Sequence, residues 1–284
     1  MKKVTIEAED GYRLSALFGQ PVTVSSGTII ISAATGIKKE FYLNFARFLI
    51  GHGYCVLLYD YRGIGESAPQ NLKTSPIYMH EWGTHDMNAV LNYLVGKGYT
   101  SVIWLGHSIG AQLVGLLKNR NHVQKVISIN AALGYWGYLS GPMKIVVWLL
   151  WYVVGPMMIR LYGYGVMKKI GWGENLPRNA LLEWRSWCIS KTYYMDFLKN
   201  SIQSDRFYNF TIPITAIYIS DDYIANDKTA SLMMQFFPNA PCQLIKLEVR
   251  NFTSLRVGHV GIFRKRFEYV LWPWLLHTIH ASND

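Results

Sequence analysis

Short runs of apolar residues alternate with segments of helical periodicity along most of the chain. Apolar runs predict buried strands at residues 27–32, 54–59, 101–105, 126–130, 212–219 and 243–249. Apolar residues at helical spacing predict helices at residues 39–51, 85–96, 109–119, 226–237 and 261–278. Two alternating segments around the turn dipeptide Asp10-Gly11 predict an N-terminal hairpin. This alternation is typical of an α/β protein with a mostly parallel, twisted sheet and helices on both faces.

The alternation stops near residue 135 and resumes at residue 212, which predicts an insertion between two strands of one sheet. We expect a core of residues 1–134 and 211–284 and a mainly helical cap of residues 135–210. Residues 145–159 of the cap are uncharged and are interrupted by Gly155-Pro156. A membrane-spanning helix needs about 20 apolar residues. We therefore expect a cap helix that is buried or faces substrate, with a helix lying in a membrane interface as the alternative.

Composition and charge narrow the class of protein. Of the 284 residues, 50% are hydrophobic and 16% are charged, which excludes a mostly disordered chain. Lys and Arg number 28 against 18 Asp and Glu, a formal net charge of +10, and the cap is the most basic and aromatic-rich segment. Such a segment fits nucleic acid, anionic lipid or a substrate pocket. No nucleic-acid partner is expected, because the basic residues are scattered among apolar ones.

The N-terminus and the cysteines bear on the compartment. Acidic residues soon after Met1-Lys2-Lys3 argue against a secretory leader. The three cysteines lack CxxC spacing, so neither a disulfide framework nor a cysteine zinc site is expected. The sequence therefore predicts a cytoplasmic protein, with peripheral contact of the cap with an anionic membrane as a further hypothesis.

Gly106-His107-Ser108-Ile109-Gly110 fits the pattern G-x-S-x-G and lies between a predicted strand and a predicted helix. A serine on such a sharp turn projects its hydroxyl, and the flanking glycines relieve crowding between chain segments. The helix N-terminus behind Ser108 favours negative charge that forms near it. Ser108 is therefore the candidate nucleophile, and the Ile109 backbone N–H is a candidate oxyanion donor.

A serine hydroxyl needs a base near neutral pH. Of the eight histidines, His259 lies on a glycine-flanked loop after the last strand, on the same side of the sheet as Ser108. His107, inside the motif, is assigned to packing. The carboxylate that orients the imidazole should follow the strand at 212–219, where Asp221 and Asp222 stand.

Taken together, these residues resemble the α/β-hydrolase superfamily, and within it bacterial hydrolases of the serine aminopeptidase and monoglyceride-lipase type. The resemblance covers residues 1–134 and 211–284. It rests on the following motifs and residues: Ala33-Ala-Thr-Gly-Ile, Asp60-Tyr-Arg-Gly-Ile-Gly-Glu-Ser, the motif around Ser108, Asp222-Tyr-Ile-Ala, and His259. The resemblance implies an α/β-hydrolase fold, and it favours Asp222 over Asp221 as the acid of a Ser108–His259–Asp222 triad.

The resemblance also implies roles for two loops. A second oxyanion donor is expected from the loop after strand 27–32, where the usual His-Gly pair is absent. By position the donor is the Thr35 N–H, with Ala34 next. The motif that begins at Asp60 is expected to be structural, with Asp60 and Arg62 holding the loops around Ser108.

These observations predict a serine hydrolase that cleaves carboxylic esters with an apolar acyl or amphiphilic group through an acyl-enzyme. Acyl transfer and aminopeptidase activity on the same triad are alternatives, and a non-catalytic binding protein on this scaffold is an alternative of another class. Peptidase ranks below esterase because few cap carboxylates could hold a substrate ammonium: Glu174, Glu183, Asp196 and Asp205. No phosphate-binding or dinucleotide-binding glycine motif follows a strand, and metal-ligand spacing is absent. No cofactor or metal is therefore expected.

Overall fold

An eight-stranded sheet forms the centre of the computed structural model, which describes residues 1–22, 25–199 and 204–281. Its spatial order is β1-β2-β4-β3-β5-β6-β7-β8. The strands are β1 (Lys2–Glu7), β2 (Arg13–Gly19), β3 (Gly27–Ser32), β4 (Tyr54–Tyr59), β5 (Val102–His107), β6 (Val123–Ile129), β7 (Ile214–Ile219) and β8 (Cys242–Leu247). Strands β1 and β2 form the predicted antiparallel hairpin, and β2 is antiparallel to β4. Strands β3 to β8 pair in parallel, so their carboxyl ends share one edge of the sheet.

The central strands are buried on both faces, as their continuous apolar sequence predicts. Every residue of β4, β5 and β7 is buried. Strand β8 lies at the edge of the sheet, and its first three residues are exposed. This burial places the carboxyl end of β5 in the interior of the sheet, between β3 and β6.

The core segments form the helices α1 (Leu43–Gly51), α2 (Met87–Gly96), α3 (Ile109–Gln112), α9 (Asp227–Met234), α10 (Gly258–Gly261) and α11 (Trp272–His280). These helices differ from the sequence predictions at two places. The helix predicted at 109–119 is wrong in length, because α3 continues only as a 3₁₀ turn to Leu116. There the Asn88 side chain ends it by donating to the Leu116 carbonyl and accepting from the Lys118 N–H.

The single helix predicted at 261–278 is also wrong, because this segment contains separate helical pieces. The short helix α10 precedes a 3₁₀ turn at Lys265–Phe267, and α11 begins only at Trp272. Proline is favoured in the first turn of a helix, where its missing N–H has no partner to lose. Pro273 occupies that position in α11, which explains the late start.

Between β6 and β7 the chain leaves the sheet and forms helices over the segment in which the cap was predicted. These are α4 (Met143–Leu149), α5 (Gly155–Tyr162), α6 (Arg178–Ile189), α7 (Met195–Lys199) and α8 (Ser204–Tyr208). The expected interruption at Gly155-Pro156 is wrong, since a π-helical turn at Leu150–Val154 joins α4 to α5. The wider turn accommodates the proline ring and its missing N–H.

The joined helix, Met143–Tyr162, is 20 residues long. By length and composition alone, it is the one helix among the described residues that is long and apolar enough to cross a membrane. Of its most apolar 18-residue window, 28% is buried against the rest of the protein. The helix therefore leaves much apolar surface uncovered.

Candidate active site

Ser108 lies on the turn between β5 and α3, with φ 53° and ψ −118°. This left-handed backbone is unfavourable for a non-glycine residue and costs about 1–3 kcal/mol. The surrounding structure imposes it: the Ser108 N–H donates to the Ile129 carbonyl at 2.8 Å, which ties the turn to β6. The side chain is half-buried at the carboxyl edge of the sheet.

The two glycines of the motif are required by close approach. A Cβ at Gly106 would lie 2.5 Å from the Ala111 backbone nitrogen, inside α3. A Cβ at Gly110 would lie 2.2 Å from the Ser32 carbonyl oxygen at the end of β3. Real Cβ atoms do not approach backbone this closely, so any other residue at either position would displace α3 and, with it, Ser108.

His259 and Asp222 are brought to Ser108 from two other loops at the same edge. His259 Nε2 is 3.1 Å from Ser108 Oγ, and His259 Nδ1 is 2.6 Å from Asp222 Oδ2. Asp222 is buried, and its Oδ1 accepts the Ile224 N–H at 2.8 Å. A carboxylate can only accept, so Nδ1 carries the hydrogen of a neutral imidazole and leaves the Nε2 lone pair facing the Ser108 hydroxyl.

Asp221 makes different contacts from Asp222. Its Oδ2 accepts the Val257 N–H at 2.8 Å and its Oδ1 accepts the Gly258 N–H at 2.7 Å. Gly258 has φ +60°, a left-handed conformation that favours glycine, and it directly precedes His259. Asp221 therefore fixes the backbone of the histidine loop, while Asp222 contacts the imidazole.

His107 belongs to a buried hydrogen-bond chain that ends on His259, a role beyond the packing assigned from the sequence. Tyr42 Oη accepts the Ala34 N–H at 3.0 Å and donates to His107 Nδ1 at 2.7 Å. His107 Nε2 then donates to the His259 carbonyl at 2.8 Å, and Asn130 Nδ2 donates to the same carbonyl at 2.7 Å. Burial, which disfavours the charged form, lowers the pKa of His107 to about 3 and keeps this imidazole neutral.

Sequence reasoning missed Tyr42 and Asn130. Asn130 has φ 52° and follows β6, and its Oδ1 accepts the Ile219 N–H of β7 at 3.0 Å. A polar residue that ends an apolar strand beside the Ser108 turn is the signal that could have found it. Tyr42 carries no such signal, because it lies in a predicted helix and reaches His107 only through the tertiary fold.

Two backbone N–H groups are placed as candidate oxyanion donors. Ile109 is the first residue of α3, so its N–H has no acceptor inside the helix. Of the two loop candidates, the Ala34 N–H donates to Tyr42 Oη, whereas the Thr35 N–H has no acceptor among the described residues. The geometry therefore favours Thr35 over Ala34 as the second donor.

The motif that begins at Asp60 forms an ion-pair cluster beside the Thr35 loop. Lys39 Nζ is buried and lies 2.6 Å from Asp60, 2.7 Å from Glu66 and 2.9 Å from Glu40. Burial alone would lower the pKa of Lys39, but the hydrogen bonds to these carboxylates raise it above its usual value. Hydrogen bonds, first of all from Lys39, lower the pKa of Glu66 to about 2. The three carboxylates lie close enough together to hold a metal ion, but the Lys39 ammonium group lies between them and pairs with all three.

Arg62 stabilises a neighbouring loop. Its Nε donates to Asp86 Oδ1 at 2.7 Å and its backbone N–H donates to Asp86 Oδ2 at 2.8 Å. Its guanidinium also donates to Asp10 at 2.7 Å, which ties the N-terminal hairpin to this loop. These contacts are those of a structural residue.

The cap is hydrogen-bonded to both sides of the Ser108 site. The Ser140 N–H donates to the carbonyl of Tyr223, the residue after Asp222, at 3.0 Å. The Glu174 N–H donates to the Gly36 carbonyl at 2.6 Å, next to Thr35. The cap therefore contacts both the loop that carries Asp222 and the loop that carries Thr35.

The sheet order, the strained serine turn and the adjoining histidine and aspartate place the protein in the α/β-hydrolase class. Residues 25–247 match the family model described as "Serine aminopeptidase, S33". That match covers most of the chain, so the protein belongs to this family, and the resemblance read from the sequence is confirmed. No curated protein matches the sequence significantly.

Solved structures with the same fold include several esterases. The esterase EaEST from Exiguobacterium antarcticum superposes with a TM-score of 0.65 at 18% identity, over 99% of this chain and 100% of that chain. The esterase RhEst1 from Rhodococcus sp. ECU1013 gives a TM-score of 0.59 at 13% identity, over 99% of each chain. A thermophilic esterase from Thermogutta terrifontis gives 0.57 at 15% identity, over 99% of this chain and 100% of that chain. At these identities the likeness shows the fold alone.

Proposed function

We propose that the protein hydrolyses carboxylic esters with Ser108 as nucleophile, His259 as base and Asp222 as the acid that orients it. The observation that carries the proposal is the linked pair of contacts at 3.1 Å and 2.6 Å on the strained turn after β5. Membership of a serine hydrolase family supports it, as does the likeness to three esterases.

The first half of the reaction forms an acyl-enzyme. Ser108 Oγ attacks the ester carbonyl carbon while His259 Nε2 takes the hydroxyl proton, and Asp222 stabilises the resulting imidazolium. The carbonyl oxygen becomes an oxyanion that accepts from the Ile109 and Thr35 N–H groups. Each such donor contributes about 10²–10³-fold to the rate. When the tetrahedral intermediate collapses, the bond to the leaving alcohol breaks and His259 returns the proton to its oxygen.

Water completes the cycle by the same chemistry. His259 Nε2 takes a proton from a water molecule, whose oxygen attacks the acyl carbon. Collapse of the second tetrahedral intermediate releases the carboxylic acid, and the proton returns to Ser108 Oγ. The neutral, buried His107 does not compete for protons in this cycle, because its pKa lies near 3.

The cap carboxylates favour ester over N-terminal peptide as substrate. Glu174 forms an ion pair with Lys168 at 2.7 Å, and Glu183 accepts hydrogen bonds from His80 Nδ1 at 2.7 Å and from the His80 N–H at 2.9 Å. The other two, Asp196 and Asp205, are exposed to solvent. A substrate ammonium would have to break an existing pair or bind an exposed group, whereas an apolar acyl group gains about 25 cal/mol per Å² on burial.

Hydrolysis of p-nitrophenyl esters of increasing acyl length tests the proposal, with an aminoacyl p-nitroanilide as the competing substrate. We expect ester hydrolysis that is higher than anilide hydrolysis, is abolished in Ser108→Ala and is unchanged in Ser231→Ala. Ser231 is an exposed serine of α9 and serves as the matched control. Preferred cleavage of the anilide would favour the peptidase, and equal rates in wild type and Ser108→Ala would remove the proposed nucleophile.

A further inference from the structure

The helix Met143–Tyr162 presents large apolar side chains to solvent along its outer side. Ile145 is 66% exposed near its start and Leu161 is 67% exposed near its end. We define the cap face as the following exposed side chains: Ile145, Trp148, Leu149, Tyr152, Met157 and Leu161. The opposite side of the helix packs on the protein through buried residues such as Leu150 and Trp151. A helix that is apolar all round needs a second apolar partner on its open side.

Uncompensated positive charge lies beside this face. A hollow of about 550 Å³ is lined by Arg160, Arg178 and Arg185 together with Pro156, Ile159 and Leu182. Within the described part of the chain, none of the three arginines pairs with a carboxylate, and Arg185 Nε donates to the Trp151 carbonyl at 2.6 Å. We call this the arginine hollow. An anionic group that entered it would meet three guanidinium groups at the edge of the cap face.

The sequence around the face is devoid of negative charge. No Asp or Glu occurs between Asp86 and Glu174, a stretch that contains the whole helix. Lys144 stands at the start of the helix, Arg160 stands near its end, and Lys169 follows it. Both ends of the cap face are therefore basic.

This charge pattern distinguishes between two kinds of partner. In a two-fold pair of copies, each basic end of one helix would meet a basic end of the other, and no carboxylate on the helix could compensate. An anionic bilayer complements the pattern, because its hydrocarbon accepts the apolar side chains while its headgroups accept the arginines. Trp148 and Tyr152 also suit the bilayer interface, where amphipathic aromatic rings are enriched.

We propose that the cap face docks onto an anionic phospholipid bilayer, with the helix in the plane of the membrane and a headgroup phosphate in the arginine hollow. The apolar side chains would lie roughly 5–10 Å below the headgroup boundary. The same helix is too exposed on one side to be a core helix and too closely packed on the other to span the bilayer alone. This docking does not depend on the reaction proposed for Ser108.

Vesicle flotation of the full chain tests the proposal. We expect the protein to float with vesicles of phosphatidylcholine and phosphatidylglycerol, to bind pure phosphatidylcholine at least about tenfold more weakly, and to lose affinity with added NaCl. Trp148 fluorescence should shift to the blue on binding, and brominated lipid should quench it. Trp148→Phe should bind equally well and lose most of both signals.

Two double variants separate the apolar and the charged contributions. Ile145→Ser with Leu161→Ser removes apolar contact, and Arg160→Gln with Arg178→Gln removes charge, each from positions that are exposed. We expect each pair to weaken vesicle binding more than tenfold, since one basic residue near the surface contributes about fivefold.

Matched controls carry the same chemical changes elsewhere on the surface. Leu255→Ser with Tyr269→Ser replaces apolar residues that are 51% and 87% exposed on the core. Arg47→Gln with Lys2→Gln removes the same charge from exposed core positions. We expect both controls to bind vesicles like the wild type, and all variants to keep their melting temperatures and their hydrolysis of a short soluble ester.

Three results would overturn the proposal. The wild type could fail to float with anionic vesicles. The controls could lose binding as much as the cap variants, which would reduce the effect to net charge or general apolarity. Sedimentation velocity could show a dimer that Ile145→Ser with Leu161→Ser dissociates, which would identify a second copy as the partner of the cap face.

Discussion

Asp221 and Asp222 are adjacent carboxylates that hold different parts of the same loop. Asp222 contacts the imidazole of His259, whereas Asp221 accepts the N–H groups of Val257 and Gly258. From the sequence alone, the choice of Asp222 over Asp221 as the triad acid rests on a family resemblance. The geometry separates the two by the kind of group that each one binds, and it therefore predicts different consequences of losing each charge.

Asp222→Asn should lower kcat for a p-nitrophenyl ester by about 10⁴-fold, because an amide no longer enforces the imidazole tautomer that leaves Nε2 free. Asp221→Asn should lower kcat far less and instead lower the free energy of unfolding by about 1–3 kcal/mol, because an amide cannot accept from both backbone donors. Steady-state kinetics and urea unfolding of the two variants measure these effects. A larger activity loss in Asp221→Asn than in Asp222→Asn would reverse the assignment.

Because His107 is neutral in the fold, the free energy of unfolding should decrease as the pH falls. Its pKa is near 3 in the fold and about 6.5 in the unfolded chain, so the unfolded state binds more protons between these values. The contribution of the neutral imidazole is therefore complete above pH 6.5 and decreases as the pH falls towards 3. At about pH 5, the predicted decrease in the free energy of unfolding is about 2 kcal/mol.

His107→Gln provides the comparison, because glutamine can still donate to the His259 carbonyl and does not titrate. Urea unfolding of both proteins at neutral pH and at about pH 5 should show a loss for the wild type that is larger by about 2 kcal/mol. Equal losses in the two proteins would show that His107 is not held neutral.

The turn between β5 and α3 depends on close backbone approach. Gly110→Ala should reduce kcat by at least about 10²-fold, because the added Cβ would meet the Ser32 carbonyl at 2.2 Å and move α3 and Ser108 by a fraction of an ångström. Gly96→Ala in α2 is the control, since its Cβ would meet no atom within 4 Å. The control should keep full activity and unfold at slightly higher urea. Full activity in Gly110→Ala would show that close backbone approach at Gly110 does not position Ser108.

The contact between the cap and the Thr35 loop can be tested with a matched pair of glycines. Gly173 and Gly171 both have positive φ, +88° and +72°. A Cβ at Gly173 would lie 2.4 Å from the Gly36 carbonyl oxygen, whereas one at Gly171 would meet nothing within 4 Å. Both alanine variants should therefore share the backbone strain of about 1–2 kcal/mol.

Only Gly173→Ala should also displace the Thr35 loop. We expect it to lower kcat for ester hydrolysis about tenfold relative to Gly171→Ala, and also to lower the free energy of unfolding in urea somewhat further, because the clash with the Gly36 carbonyl adds to the shared backbone strain. Equal kcat values in the two variants would show that the cap contact does not position this loop.

The parts of the molecule that could be predicted from sequence are those set by local patterns. The buried strands follow from continuous apolar runs, and the turn at Ser108 follows from a motif placed between a strand and a helix. Helix lengths are less predictable from sequence, because a tertiary contact from Asn88 ends the helical segment after Ser108 and Pro273 fixes the start of the last helix. Neither effect is visible in the spacing of apolar residues.

The contacts that support His259 could not be predicted, because they join residues distant in the chain. Tyr42, His107 and Asn130 come from three segments and meet only when β5 and β6 pair and the histidine loop folds over them. The orientation of the cap helix is a similar case. It is apolar on all sides, so its sequence has no periodicity to show which side faces the protein.

Covalent labelling with a fluorophosphonate reports whether Ser108 is an activated nucleophile. Intact mass of the wild type should show one adduct, and Ser108→Ala should show none while Ser231→Ala is labelled like the wild type. An adduct that persists in Ser108→Ala would place the nucleophile elsewhere. A wild type that stays unlabelled, with or without a mild detergent to loosen the cap, would contradict nucleophilic catalysis by Ser108 and favour a binding protein on a hydrolase scaffold.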